Sequence, residues 1–166
     1  DATATIDVSV PVPVLVAVPA PVPTTSFTGT LVNGRAEGYG TFTNSKGHVL
    51  VGHFHLGNIV NGTGTMLLAS SGTLIEGTWV EGKLRGQAKM VFKNGTVKQG
   101  FYFNSDLNGF GSEVTKSGRN YTGEFLRGAK HGHGTYRDAK GVVYEGQWID
   151  DVRHGAGTMT YPDGIK

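Results

Sequence analysis

Apolar and polar residues alternate along most of the chain in short runs bounded by turn residues. Tyr121 and Phe125 flank Thr122 and Glu124, and Tyr144 and Trp148 flank Glu145 and Gln147. A period of two over a handful of residues is the signature of a β-strand with one buried face. Each run carries a Gly midway and ends near another, and the pattern recurs. With Phe27, Leu50, Ile75, Lys98, Tyr121 and Tyr144 as position 1, successive units start 23, 25, 23, 23 and 23 residues apart. All 27 glycines fall on positions 3, 8, 12, 14 and 21 of these units, once two single-residue insertions are allowed in the second.

Positions 1 to 6 and 12 to 18 read as the two strands of a hairpin in each unit. The glycines at 8 and 21 mark turns that need φ > 0; Asn33-Gly34, Asn94-Gly95 and Asp163-Gly164 carry that chemistry. Glycines at 3, 12 and 14 lie inside strands, where a missing side chain marks the close approach of another group. The expected visitors are rings. Position 5 reads Leu31, Phe54, Trp79, Tyr102, Phe125 and Trp148, on the same face as positions 1 and 3. Position 16 adds Phe42, Met66, Met90, Tyr136 and Met159. The fold expected is all-β: an elongated single-layer antiparallel sheet of about six stacked hairpins, spanning ~55 Å at ~4.8 Å per strand. Its units are residues 27–49, 50–74, 75–97, 98–120, 121–143 and 144–166.

Residues 1–26 are a different kind of chain. From residue 6 to 18 every even position is apolar, Ile6, Val8, Val10, Val12, Val14, Val16 and Val18, and Pro11, Pro13, Pro19, Pro21 and Pro23 are all odd. Alternate N–H groups of an extended strand point to the same side. Proline on one parity therefore removes donors from one edge and spares the other, as suits an edge strand. Residues 5–18 are expected to pair along a sheet edge, either that of the first hairpin or that of a partner. A polyproline-type linker is the competing reading.

The last unit, from Tyr144-Glu145-Gly146-Gln147-Trp148 through His154-Gly155-Ala156-Gly157 to Asp163-Gly164, resembles a MORN repeat almost position for position. Tyr121-Thr122-Gly123-Glu124-Phe125 through His131-Gly132-His133-Gly134 is nearly as close. The resemblance extends over residues 27–166. The fourth unit departs from it, with Lys98, Ser105, Glu113 and Thr115 at positions 1, 8, 16 and 18. The resemblance implies the elongated β structure already derived and repeats that are not catalytic. Such repeats serve as scaffolds, dimerisation modules or membrane-proximal adaptors, sometimes joined to a catalytic domain. Phospholipid binding has been proposed for some.

Composition narrows the chemistry. There is no cysteine, which removes disulfides, thiolate metal sites and thiol nucleophiles and leaves the compartment open. Fifteen basic against thirteen acidic residues give a net charge of +2, so nucleic acid is not an expected partner. No apolar run is long enough to span a bilayer as a helix. The chain starts at Asp1 without Met, which fits a leader removed before it. Sequons at Asn61, Asn94 and Asn120 fit secretion, but two of them are Asn-Gly turns in their own right. The Gly-x-Gly pairs lack the third glycine of a dinucleotide loop, and no Ser/His/Asp set has a workable spacing. His53 and His55 share a face but have no evident third ligand. No enzyme activity, cofactor or metal is expected.

The face opposite the rings is more informative. Position 6 reads Val32, His55, Val80, Phe103, Leu126 and Ile149, and the fourth unit adds Phe101 and Phe110 where other units are mostly polar. Three phenylalanines with no second layer to cover them mark a protein-binding surface, for a partner or a second copy. Burial beneath the Val/Pro arm is the alternative. Val8, Val10, Val12 and Val14 would form a second contact. The basic residues Arg119, Arg127, Lys130, Arg137, Lys140 and Arg153 offer a weaker lipid-binding reading, diluted by interspersed acids. The function expected is a non-catalytic scaffold for protein–protein interaction or assembly. Its rivals are a peripheral adaptor on acidic phospholipid, and a targeting or regulatory module of an enzyme whose catalytic domain lies outside this chain.

Overall fold

The computed structural model describes residues 25–46, 48–68 and 70–163. The Val/Pro arm, with Val8, Val10, Val12 and Val14, lies outside them up to residue 24. Twelve strands form one open sheet: β1 (Ser26–Val32), β2 (Arg35–Thr43), β3 (Val49–His55), β4 (Asn58–Leu68), β5 (Thr73–Val80), β6 (Lys83–Val91), β7 (Val97–Phe103), β8 (Asp106–Val114), β9 (Asn120–Leu126), β10 (Ala129–Arg137), β11 (Val143–Ile149) and β12 (Val152–Thr160). Their spatial order is their chain order, and every neighbouring pair is antiparallel. This is the all-β, single-layer sheet of stacked hairpins expected from the repeat.

Two kinds of turn alternate. Tight two-residue turns close each hairpin: Asn33-Gly34, Leu56-Gly57, Glu81-Gly82, Asn104-Ser105, Arg127-Gly128 and Asp150-Asp151, with φ positive at both residues of each. That is the type I′ geometry, which matches the twist of the flanking strands. Longer turns join one hairpin to the next and are held by side-chain acceptors. Asn44 Oδ1 accepts from Lys46 N–H and His48 N–H; Asp138 Oδ1 accepts likewise from Lys140 and Val142.

Because the tight turn takes only two residues, the second strand of each unit starts at position 9 rather than 12. This brings position 10 into the sheet, a column that the sequence reading assigned to turn. Ile59, Leu84 and Leu107 occupy it and are buried. They join Leu50, Phe54, Ile75, Trp79, Tyr102, Tyr121, Phe125, Tyr144 and Trp148 in a core confined to one face.

The in-strand glycines divide into two classes. Those at positions 3 and 14 sit opposite one another across successive strands, as in Gly29–Gly40–Gly52 and Gly111–Gly123–Gly134–Gly146–Gly157. On this bare track lies either a position-1 ring or a position-10 aliphatic chain. Phe27, Tyr121 and Tyr144 cover it in the units whose position 10 is Ala36, Lys130 or Arg153; Ile59, Leu84 and Leu107 cover it in the others. The position-5 rings pack beside these groups, Phe54 edge-on to Phe27 at 5.1 Å and Trp148 edge-on to Tyr121 at 5.3 Å.

Position 12 behaves differently. At Gly38, Gly86 and Gly109 an added Cβ would meet open space, but φ is +74°, +80° and +76°. Each belongs to a bulge in which the hairpin register slips. Glycine is there for its backbone, not for a visiting ring.

Candidate functional site

In the fourth hairpin, alternation on β7 places Lys98, Gly100 and Tyr102 toward the core and sends Phe101 and Phe103 to the other face. Gly100 pairs with Gly111 and Tyr102 with Leu107, so Asn108, Gly109 and Phe110 bulge opposite the single residue Phe101. The left-handed Gly109 re-aims the chain, and Phe110 emerges on the face of Phe101 and Phe103. Asn108 holds the bulge: its Nδ2 donates to the Asp106 carbonyl at 3.0 Å and its Oδ1 accepts from Arg127 N–H at 3.1 Å.

The three rings are 47%, 49% and 68% exposed, against 2% for Tyr102 between them. The Arg85 guanidinium lies 4.8 Å from the Phe103 ring centre. Phe110 stands between two shallow hollows, one walled by Gln87, Gln99, Ser112 and Thr122, the other by Thr122, His133, Thr135 and Glu145. Glu124, directly across from Phe110, accepts from the His133 N–H at 3.0 Å. Phe110 is thus an apolar projection in a field of hydroxyls, amides and carboxylates. Position 6 adds exposed Val32, Val80, Leu126 and Ile149 along the same face.

The six basic residues of the lipid reading are dispersed. Arg119 and Lys140 sit in long turns at one end of the strands, and Arg127 in a tight turn at the other end. Arg137 ends β10. Lys130 and Arg153 are on the core face. There Lys130 Nζ is 2.7 Å from Glu113 Oε1 and 3.5 Å from Asp151 Oδ1, while Arg153 lies over the rings of Tyr144 and Tyr136 at 4.7 and 5.5 Å. Lys98 reaches Glu113 Oε2 at 3.0 Å. The charges that set the fourth unit apart are thus a paired cluster within the core layer. Burial works to raise the Glu113 carboxyl pKa, but the hydrogen bonds from Lys130 and Lys98 outweigh it and hold the group below its ordinary value.

The histidines do not converge. His53 packs edge-on to Tyr39 at 5.2 Å, and His55 Nδ1 is 2.8 Å from Glu37 Oε1, which lowers the Glu37 pKa. Among the described residues no three His, Cys, Asp or Glu side chains are grouped to hold a metal. No described helix is long and apolar enough to cross a membrane.

Comparison with known proteins bears on the repeat itself. The MORN repeat family model matches residues 27–49, 76–97, 121–143 and 144–166, more than half of the chain. The chain belongs to the MORN-repeat family. MORN repeats are interaction modules for proteins or membranes and are not catalytic units. The stretches between the matches, which hold β3–β4 and β7–β8, join the same sheet in the same order. No curated protein matches the chain. Among solved structures, the TCP domain of SAS-4 (dCPAP) of Drosophila melanogaster, in complex with a proline-rich motif of Ana2 (dSTIL), is a loose likeness. It is 15% identical with a TM-score of 0.45, over 87% of this chain and 80% of that one.

Proposed function

We propose that this MORN-repeat chain is a non-catalytic scaffold that binds a polypeptide segment through the face bearing Phe101, Phe103 and Phe110. The observation that carries the reading is the exposure of all three rings on the face away from the core. Large rings left in water and clustered mark contact surfaces. The polar walls around Phe110 would hydrogen-bond an extended backbone, and the ring would seat an apolar side chain. Glu124 and Glu145 beside it favour a segment carrying basic groups.

The test is selection of peptides from a displayed library on the full chain, then affinity measurement against the triple variant Phe101→Ser, Phe103→Ser, Phe110→Ser. Selected peptides should lose at least tenfold in affinity while the far-UV signature of the sheet is kept. Unchanged affinity would move the surface elsewhere, and unfolding of the triple variant would assign the rings to the core. Salt-sensitive binding to acidic vesicles, undiminished in the variant, would favour the adaptor reading instead.

A further inference from the structure

The first hairpin is uncovered at the end of the stack. Leu31 is 56% exposed, whereas the residues at its place in the later units, Phe54, Trp79, Tyr102, Phe125 and Trp148, are 5% exposed or less. Those residues are covered from the preceding hairpin, as Phe54 is by Phe27. Among the described residues β1 has no such neighbour.

Its free edge has a definite parity. Val32 and Arg35 flank the two-residue turn Asn33-Gly34 and pair directly, so they form a hydrogen-bonded pair. Counting back along β1, Thr30, Thr28 and Ser26 also turn their N–H and C=O groups toward β2. Phe27, Gly29 and Leu31 turn theirs outward, and their side chains lie on the core face.

The geometry points to residues 6–18 of the same chain as the occupant of this edge: an added antiparallel strand beside β1. Two independent features of that segment meet the same requirement. Its even positions keep every N–H, whereas Pro11 and Pro13 remove donors from odd ones, so only the even edge can pair without loss. Directly opposed residues of an antiparallel pair share a face, so the even residues must land beside Phe27 and Leu31 on the core face. They are Ile6, Val8, Val10, Val12, Val14, Val16 and Val18. Prolines on the same parity as the valines would have put the two demands in conflict.

The seven residues from Pro19 to Thr25 are enough to reverse the chain back onto β1. The pairing does two things. It gives Leu31 the apolar neighbour that its counterparts have, acting as the terminal cap that a stack of repeats needs. It also leaves a proline-studded outer edge that accepts no further strand. This inference is independent of the phenylalanine surface.

The test is residue-resolved hydrogen exchange on full-length chains. One variant carries Val10→Pro, Val12→Pro, Val14→Pro and Val16→Pro. The control carries the same number of prolines on the other parity: Asp7→Pro, Ser9→Pro, Leu15→Pro and Ala17→Pro. The Phe27, Gly29 and Leu31 amides should exchange at least tenfold faster in the first variant and at the unaltered rate in the control. Unprotected rates in the unaltered chain, or equal effects of the two sets, would overturn the proposal. So would protection that grows with protein concentration alongside a dimer by light scattering, since the strand would then come from a second copy.

Discussion

Leu84 and Ser105, in successive hairpins, exchange two hydrogen bonds: the Leu84 N–H donates to Ser105 Oγ, and the Ser105 N–H donates to the Leu84 carbonyl, both at 3.0 Å. Lys130 and Asp151 do the same two boundaries further on, with both bonds again at 3.0 Å. Where the turn residue is glycine only the second bond exists, as from Gly57 to Ala36 or Gly128 to Leu107. Ser105 and Asp151 break the glycine pattern at position 8 and adopt φ of 72° and 67° without being glycine. Their side chains return that cost by latching one hairpin to the one before.

Ser105→Ala keeps the left-handed strain and loses the acceptor, so it should cost ~1–2 kcal/mol. Ser105→Gly loses the same bond but relieves ~1 kcal/mol or more of left-handed strain, and should lie close to neutral. Urea denaturation of both variants checks this. Equal losses would show that the φ at 105 stores no strain.

The sheet was legible because its determinants are local and repeated. The spacing of Phe27, Ile75, Tyr121 and Tyr144 gave the hairpins, and alternation gave the core face. Position 10 was missed because turn length is set by backbone geometry. Leu56, Glu81 and Arg127 carry positive φ at position 7, yet none of them is a residue that advertises it. The role of the fourth unit was half visible. Its phenylalanines stood out against polar neighbours, whereas Lys98, Glu113 and Lys130 are 15 to 17 residues apart in sequence and meet only in the folded sheet. The basic group proposed for lipid was drawn from proximity in sequence, and strand alternation scatters such a group over strand ends and faces.

The two glycine classes should fail in different ways. Gly109→Ala meets no atom but must hold φ near +76°, for ~1–2 kcal/mol. Gly109→Asn should recover part of that loss, because Asn tolerates the left-handed region. At Gly111 an added Cβ would stand 2.8 Å from the Gln99 carbonyl oxygen and 3.1 Å from Leu107 Cδ1, and backbone cannot step aside. Gly111→Ala should cost more, above ~2 kcal/mol, with no rescue by Asn. A thermal melt of the five proteins, Ala and Asn variants at each position and the wild type, separates the cases. Rescue at 111, or none at 109, would refute the division.

Glu113 should make the sheet acid-sensitive. Its folded pKa lies below the ordinary 4.5, so its contribution is fully present above the unfolded value and is lost as pH falls through the folded one. Glu113→Ala takes the carboxylate from Lys98 and leaves Lys130 with only the longer Asp151 contact, and should approach the ~3 kcal/mol cost of removing one partner from a buried pair. Lys98→Ile with Glu113→Met copies Ile75 and Met90, which face each other at the same places one hairpin earlier. That double variant removes Lys98 together with its partner and leaves Lys130 with Asp151 alone, so it should recover much of the Glu113→Ala loss, and its unfolding midpoint should vary less between pH 6 and pH 3 than that of the wild type. A double variant as weak as Glu113→Ala would mean that the charges specify the packing there.

Tyr102 and Tyr121 offer an alkaline counterpart. Burial pushes the Tyr102 phenol up to about 12. Burial, then the nearby charges of Glu124 and Asp151, does the same to Tyr121. A folded pKa above the unfolded 10.0 means that the contribution is complete below pH 10 and is lost as pH rises toward 12. The hydroxyls differ in one respect. Tyr121 Oη donates to the Glu124 carbonyl at 2.9 Å, whereas Tyr102 Oη is buried with no partner among the described residues. At pH 7, Tyr121→Phe should therefore cost ~1 kcal/mol for its lost hydrogen bond, and Tyr102→Phe should be neutral or stabilising, since it removes an unsatisfied group. Both should flatten the fall in stability between pH 10 and pH 12. Urea denaturation at pH 7 and above pH 10, alongside phenolate absorbance, reads all of these at once. A Tyr102→Phe variant weaker than Tyr121→Phe at pH 7 would show that the Tyr102 hydroxyl is satisfied in solution.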